Sequence, residues 1–139
     1  MEEKLAVTET ELNELLASTP FTRQLGLRLV SVADGECRLW APFRPEYERP
    51  GGIVSGQVFM TAADVALWLA IKTRLGLHDG SVTADMSTVF LGAARREDIW
   101  CTATMLKWGN RLIVGTAECS NENGQRLTHH TISYARGGP

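Results

Sequence analysis

The chain has few of the features that mark secreted, metal-binding or membrane-spanning proteins. Its three cysteines are odd in number and form no CxxC or Cys/His pattern, which disfavours a disulfide framework or a zinc site; they are Cys37, Cys101 and Cys119. We expect reduced, buried thiols. The apolar run from Val58 to Ile71 is interrupted by Asp64 and is shorter than the about 20 residues of a membrane span.

The sequence shows neither an excess of basic residues nor a signal-peptide pattern in its N-terminal segment. Fourteen Lys and Arg face sixteen Asp and Glu, for a formal net charge of -2, and the basic residues are scattered. This pattern argues against a nucleic-acid or membrane partner. The N-terminal segment MEEKLAVTETELNELL is acidic and has no signal-peptide pattern, so we expect a cytoplasmic protein.

The composition is that of one ordinary domain. The chain has 139 residues, of which 44% are hydrophobic and 22% charged, enough to bury a core without dividing into two domains. We therefore expect a single domain over residues 1–139, with residues 1–7 and 136–139 frayed. Small molecules or further copies of the chain are the expected partners.

The first third of the chain predicts one short helix and two strands. Thr8 and Glu11 have the spacing of a capping box, and leucines at helical spacing behind them predict a helix from about Thr8 to Ala17, ended by Pro20. The segments LGLRLVSV and ECRLWAPF flank an Asp-Gly turn. Their alternating pattern predicts two strands joined as a hairpin.

One long helix follows, and then four strands. Gly56 to Leu75 contains no proline or internal glycine, and Gly76 stands at the expected C-terminal cap. This helix is apolar nearly all round, so we expect protein to enclose it. The later strand candidates are SVTADMSTVFL, DIWCTATMLKW, RLIVGTAECS and RLTHHTISYA. The pattern predicts an α+β fold, in which a curved antiparallel sheet of about six strands wraps around the long helix.

Asp64 is the ionisable residue in the middle of this apolar helix. One interpretation is structural: the carboxylate accepts hydrogen bonds and is simply a satisfied acid. The other is functional: small neighbours leave room for a ligand, and the carboxylate acts as a base. At the helix start, Ser55 is a plain N-cap, and the free N–H groups at Gly56 and Gln57 offer a site for an anion or a developing oxyanion.

The helix length decides whether these two groups can cooperate. Gly56 and Asp64 are eight positions apart, roughly 12 Å along a helix axis, which is too far for both to reach one carbonyl. Two copies packed about a two-fold axis would bring the helix start of one chain to the Asp64 of the other. The enzymatic hypothesis therefore requires a homodimer, and we expect such dimers to pair into a tetramer.

The residues resemble a known family. The element order and the segments RPGGIVSGQVFMTAADVAL, SVTADMSTVFLGAA, LKWGNRL and THHTISYA are similar to those of hotdog-fold acyl-CoA thioesterases of the phenylacetate-pathway type. This chain has Ser55-Gly56-Gln57 where many relatives have His-Gly-Gly, which resembles a branch with Ser-Gly. The resemblance implies acyl-CoA hydrolysis without a metal or organic cofactor.

The resemblance also implies roles for individual residues. The backbone N–H of Gly56 or Gln57 would polarise the thioester carbonyl, and Asp64 of the partner chain would act as base or nucleophile. Polar residues of the next strand often assist, and alternation predicts that Thr83, Asp85 and Ser87 share a face. That polar face is equally explained by contact with solvent or a second subunit.

Two positions depart from the family pattern. Arg49 stands where relatives often have an amide side chain, and Trp68 stands where a small or hydroxylated residue is usual. Trp68 is either a core residue or a side chain that shortens the acyl tunnel and favours small or flat acyl groups. We expect both residues, together with Ser55, Thr83 and Ser87, to contact substrate.

Three functions remain open from the sequence. The leading hypothesis is a thioesterase, and the alternative is a hotdog protein that binds acyl-CoA without cleaving it. A dehydratase is disfavoured because the long helix has no histidine to pair with its acid. His129 and His130 point to opposite faces of one strand, and we expect packed or solvent-exposed side chains for them.

Overall fold

The computed structural model describes residues 4–137. Three α-helices and a short 3₁₀ turn alternate with eight strands. The helices are α1 (Glu9–Ser18), α2 (Pro20–Leu25) and α3 (Gly56–Leu75), and the 3₁₀ turn spans Pro45–Tyr47. The strands are β1 (Arg28–Ala33), β2 (Glu36–Ala41), β3 (Glu48–Arg49), β4 (Ile53–Val54), β5 (Val82–Phe90), β6 (Ile99–Trp108), β7 (Leu112–Ser120) and β8 (Arg126–Ala135).

Six of the strands form one antiparallel sheet. Its order is β1-β2-β6-β7-β8-β5, and the two-residue strands β3 and β4 pair separately ahead of α3. Helix α3 packs against one face of this sheet and contacts β2, β6 and β7 most extensively. The predicted α+β hotdog fold is confirmed. Because β1 and β5 are its outermost strands, each has one edge that pairs with no other strand in the described chain.

The sequence correctly predicts α3 and its ends. Ser55 is the N-cap, and Gly76 ends the helix at a φ of 95°, a value that glycine adopts without steric cost. The predicted enclosure on all sides is wrong for the single chain. One stripe of α3 is partly or fully exposed, because the sheet covers the opposite side of the helix. The residues of this stripe are Gln57, Met60, Thr61, Asp64 and Trp68.

The segment between α1 and β1 differs from the prediction. The expected strand LGLRLVSV begins only at Arg28, because Pro20 ends one helix and occupies the first turn of another, α2. Proline is favoured at this position because its missing N–H has no partner in a first helical turn. Gly26 ends α2 with a φ of 71°. The extra helix carries Phe21 toward α3.

The chain ends were expected to fray. Residues 1–3 and 138–139 lie outside the described residues. Within the described part, the Ala6 N–H donates to the Thr73 carbonyl at 2.8 Å, and Val7 is buried. The start of the chain is therefore attached to the end of α3 from residue 6, which differs from the predicted fraying.

The three cysteines are buried free thiols, as predicted. They lie on the strands that face α3, and burial raises the pKa of the Cys37 thiol to about 12. No helix within residues 4–137 has the length and hydropathy required to cross a bilayer.

Gly115 sets how closely α3 approaches the sheet. A Cβ at this position of β7 would lie 2.9 Å from the Thr104 carbonyl oxygen and would overlap the buried side chain of Leu67. The backbone oxygen is fixed by the sheet, and Leu67 has no free volume in which to move. The absence of a side chain at residue 115 therefore allows the close contact between helix and sheet.

We predict that Gly115→Ala destabilises the fold by about 1–3 kcal/mol, because the added methyl group overpacks this contact. Chemical denaturation monitored by circular dichroism measures the change. Gly80→Ala is the matched control, since nothing lies within 4 Å of its added Cβ. Equal stability of the two variants would contradict the proposed close contact.

Candidate functional site

Asp64 lies at the centre of a hydrogen-bond network. Its Oδ1 atom accepts from the Thr83 hydroxyl at 2.8 Å and from the Tyr134 hydroxyl at 2.7 Å. The Tyr134 oxygen also lies 3.0 Å from the Asp64 backbone carbonyl. Two strands thus hold one helix carboxylate, and charge-assisted hydrogen bonds of this kind fix a side chain firmly.

The two oxygens of this carboxylate are not equivalent. Both side-chain donors contact Oδ1, and within residues 4–137 no hydrogen bond is made to Oδ2. An ionised carboxylate has about four lone-pair sites, so the lone pairs of Oδ2 are left open to a further donor. The geometry fits a group that is anchored through one oxygen and reacts through the other.

A β-bulge determines which residues of β5 join Asp64. Thr83 pairs with Tyr134 across β5 and β8, but the register shifts before Asp85, which pairs with Ser133. Thr83 therefore shares the helix-facing side of the sheet with Tyr134, while Asp85 and Ser87 lie on the outer side. The prediction that Thr83, Asp85 and Ser87 share a face is wrong, because the bulge at residue 84 reverses the alternation.

Tyr134 is the residue at this site that the sequence analysis did not identify. It is buried near the end of β8, and burial, followed by the nearby Asp64 charge, raises its pKa, so its hydroxyl stays protonated and remains a donor. The alternation of TISYA places Tyr134 on the buried face with Ile132. No sequence pattern links it to a helix residue 70 positions earlier.

Asp64 opens onto a cleft of about 290 Å³. The apolar lining residues are Phe21, Val65, Trp68 and Val82. Trp68 lies beneath the buried ammonium of Lys72, whose Nζ is 4.8 Å from the ring centroid. Burial lowers the pKa of Lys72. This cleft offers a mostly apolar surface next to the Asp64 carboxylate, and Trp68 is part of its lining.

Ser81 is a second residue of this cleft that the sequence did not reveal. Its side chain is 5% exposed, and its Oγ has no hydrogen-bond partner within the described chain. Ser81 lines the same cleft as Asp64 and Trp68. A buried hydroxyl without a partner is uncommon, since leaving it unpaired costs about 1–3 kcal/mol.

A separate cleft of about 450 Å³ lies at the start of α3. It is lined by Gly56, by Arg49 of β3, and by Phe90 and Gly92 at the end of β5. The Phe90 ring stacks edge-on against Phe59 with centroids 6.3 Å apart. The ring would lie 3.1 Å from a Cβ at position 56, so glycine keeps the helix start accessible.

The backbone N–H groups at this helix start differ in availability. The Gln57 N–H donates to Ser55 Oγ at 3.4 Å, the predicted N-cap bond. The Gly56 N–H donates to no acceptor within the part of the chain that the structure describes. With the positive end of the helix dipole behind it, the Gly56 N–H is the better donor for a developing negative charge.

The two clefts have no lining residue in common. The structure brings Asp64, Trp68 and Thr83 together, and it places Ser55, Gly56 and Arg49 at the other site. Gln57 lies on the exposed stripe, and Ser87 on the outer face of the sheet. Within residues 4–137, no three His, Cys, Asp or Glu side chains are grouped so as to hold a metal ion.

The histidines take no part in either cleft. His130 is buried, and its ring nitrogens contact the hydroxyls of Thr88 at 2.8 Å and Thr128 at 2.7 Å. His129 faces the outer side and lies 3.2 Å from Glu118. One histidine is packed and the other half-exposed, as predicted.

Comparison with known sequences identifies related proteins. The family model described as the thioesterase superfamily matches residues 51–128. A protein of Saccharolobus solfataricus named as an esterase is 30% identical over 105 residues, which cover 76% of this chain and 69% of that protein.

Solved structures show the same fold. Zebrafish thioesterase superfamily member 2 has a TM-score of 0.83 and 27% identity, covering 94% of this chain and 99% of that one. A variant of the phenylacetic acid degradation protein of Thermus thermophilus has a TM-score of 0.76 and 22% identity, covering 85% of this chain and 99% of that one. A hypothetical thioesterase of Streptococcus pneumoniae, solved with coenzyme A, has a TM-score of 0.73 and 17% identity, covering 81% of this chain and 86% of that one.

We predict that Tyr134→Phe lowers the free energy of unfolding by about 1–2 kcal/mol, because it removes the hydrogen bond to the Asp64 carboxylate while keeping the ring in the core. Chemical denaturation at neutral pH measures the loss. Tyr47→Phe is the matched control, because the hydroxyl of the chain's other tyrosine contacts no carboxylate within the described residues. An effect no larger than that of the control would contradict the network.

Proposed function

This chain belongs to the thioesterase superfamily, and from that membership we propose that it hydrolyses acyl-CoA thioesters to a free acid and CoA. The observation that carries the proposal is the Asp64 carboxylate, anchored through Oδ1 and open through Oδ2 beside an apolar cleft. A cleft of this size and lining suits an acyl group. The coenzyme A in the Streptococcus pneumoniae structure is consistent with the same class of substrate.

In the proposed reaction, Asp64 Oδ2 takes a proton from water as the water oxygen attacks the thioester carbonyl carbon. Direct attack by Oδ2 is the other route, and it would give an anhydride that water then hydrolyses. In both routes the C–S bond breaks and the CoA thiolate leaves and is protonated. Thr83 and Tyr134 keep the carboxylate oriented throughout.

The Gly56 N–H is the proposed oxyanion donor. It is free, it points from the positive end of a 20-residue helix, and the missing side chain leaves space for a carbonyl oxygen. Such a donor stabilises charge that develops on the carbonyl oxygen in the transition state. Gln57 is less suitable, because its N–H is already directed to Ser55.

The two clefts lie at opposite ends of β5, and this arrangement favours a homodimer. The Asp64 cleft includes Val82 and Thr83 at the start of β5, whereas the helix-start cleft includes Phe90 at its end. If the free edges of two β5 strands pair antiparallel about a two-fold axis, the end of one strand lies beside the start of the other. Each Asp64 cleft then meets the helix start of the partner.

Exposed apolar side chains at this edge support the proposed dimer. Val89 and Phe90 are 51% and 54% exposed, and Val82, Leu91 and Met60 of α3 are similarly open. A long edge strand with apolar side chains is a strong template for pairing with another chain. Contact between two copies would also cover the open stripe of α3. Pairing of such dimers into a tetramer remains part of the proposal.

The lining of the Asp64 cleft favours small or flat acyl groups. Phe21 and Trp68 narrow it, and Trp68 is held in place beneath Lys72. Arg49, in the helix-start cleft, is positioned to contact the CoA part of the substrate. The free thiols fit a reducing compartment, so we propose a cytoplasmic location.

We predict that Asp64→Asn lowers kcat by at least about 100-fold. The amide oxygen can replace Oδ1 and keep both hydroxyl donors, while the amide nitrogen cannot accept a proton in place of Oδ2. Thiol release from a panel of acyl-CoA esters measures turnover, and thermal unfolding verifies the fold.

Asp85→Asn is the matched control, since this exposed aspartate lies on the outer face of the same sheet. Hydrolysis retained in Asp64→Asn would overturn the assignment of this residue. If wild type releases no thiol but CoA esters raise its melting temperature, the alternative of a non-catalytic acyl-CoA-binding protein is correct.

The dimer can be tested by subunit complementation. Asp64→Asn disables one half of each proposed site, and Gly56→Val blocks the other half with a side chain that meets Phe90. When the two variants are co-expressed and their chains pair at random, half of the dimers contain one chain of each variant. Each of these mixed dimers has one intact site. We predict about a quarter of wild-type activity in the mixture.

Each variant alone should be inactive, with a molecular mass by light scattering equal to that of two chains, or of four where dimers pair. The two variants purified separately and assayed together without subunit exchange provide the control. A monomeric wild type that turns over, or a mixed sample with no restored activity, would refute the shared site.

A further inference from the structure

A groove of about 1000 Å³ is lined by three arginines, and none of its lining residues within residues 4–137 is acidic. It lies between the two short helices and the β1 edge, and it shares no residue with the Asp64 or helix-start clefts. Arg23 of α2 and Arg28 of β1 are exposed at its rim, and Arg44 lies deeper.

The guanidinium groups of these arginines are unpaired. None of the three forms an ion pair within residues 4–137. Arg44 Nε is buried and has no hydrogen-bond partner among the described residues. Glu97 shares a small cavity with Arg44, but its carboxylate accepts from the Arg95 N–H. A buried guanidinium nitrogen without an acceptor is costly, and an anion in the groove would lower that cost by pairing with the charge of the same guanidinium group.

The backbone is shaped to hold Arg44 at this position. A Cβ on Gly26 would lie 2.8 Å from Arg44 Nε, so the guanidinium packs directly against the bare backbone where α2 ends. The φ of 71° at Gly26 also favours glycine. The guanidinium of Arg44 therefore lies over the turn that leads into β1.

An aromatic surface lies beside the charges. Trp40 lines the groove and is the direct cross-strand neighbour of Arg28. Its indole N–H donates to Asp98 at 3.1 Å, which fixes the ring. Apolar contacts from Leu16, Leu27 and Leu29 complete the lining. Positive charge next to a fixed aromatic ring suits a phosphate joined to a flat ring system.

We propose that this groove binds a small phosphate ester of the nucleotide type, with Arg44 as the buried anchor, Arg23 and Arg28 contacting phosphate oxygens, and Trp40 contacting the ring. Two sources share this chemistry: a free nucleotide, and the nucleotide part of a CoA molecule. The free-nucleotide source does not depend on the proposed hydrolysis at Asp64, whereas the CoA source rests on the proposed acyl-CoA substrate.

Isothermal titration with ADP and with pyrophosphate tests the site directly, without turnover. The test variants are Arg44→Met, which removes the anchor but keeps an apolar stem, and the double variant Arg23→Gln/Arg28→Gln, in which both altered side chains are exposed. We expect each to weaken ADP binding at least about tenfold. Raising the salt concentration should weaken binding to wild type.

Arg111→Gln is the matched control, since this exposed arginine lies outside the groove, and it should bind ADP as wild type does. Desulfo-CoA distinguishes the two sources. If its binding is lost in the groove variants together with that of ADP, the ligand is the nucleotide part of CoA; if desulfo-CoA binding persists, the ligand is a separate nucleotide. Absence of ADP and pyrophosphate binding at millimolar concentration, or equal binding in all variants, would overturn the proposal.

Discussion

The close packing of α3 on the sheet determines most of this structure. Leu67 meets the bare backbone of Gly115, and the sheet covers one side of the helix and leaves a single stripe open. That stripe carries Asp64, so the acid is neither sealed in the core nor free on the surface. A carboxylate at such a boundary can be held by protein donors on one oxygen while the other faces a cleft.

The two interpretations of Asp64 that the sequence allows are therefore compatible. Thr83 and Tyr134 satisfy the carboxylate in the structural sense, and both do so through Oδ1. In the proposed reaction, this division lets one oxygen stabilise the fold while the other meets water or substrate. A network that engaged both oxygens would hold the side chain more firmly, but it would leave no acceptor for a proton or a substrate.

The sequence is sufficient to predict the fold and the location of the acid, but not the partners of the acid. Periodicity and end signals define α3 from Gly56 to Leu75, and an isolated Asp in that run is visible by inspection. The bulge at residue 84 cannot be seen in the sequence, because one extra residue in a strand leaves no mark in its composition. The bulge places Asp85 and Ser87 on the outer face of the sheet, whereas simple alternation would place them on the same face as Thr83. Tyr134 and Phe21 reach the site through tertiary packing, which local patterns do not encode.

The length of α3 is the strongest reason to expect a second chain. At the helical rise, Gly56 and Asp64 are roughly 12 Å apart along the axis, and no change of side-chain rotamer closes that separation. Within one chain, the free N–H of Gly56 and the open oxygen of Asp64 therefore serve different clefts. The strand β5 runs between these clefts, and one of its edges pairs with no strand in residues 4–137 and carries exposed apolar side chains. When two β5 strands pair antiparallel about a two-fold axis, the start of each strand lies beside the end of the other. In the proposed dimer, the free edge of β5 would therefore bring together the two halves of the site.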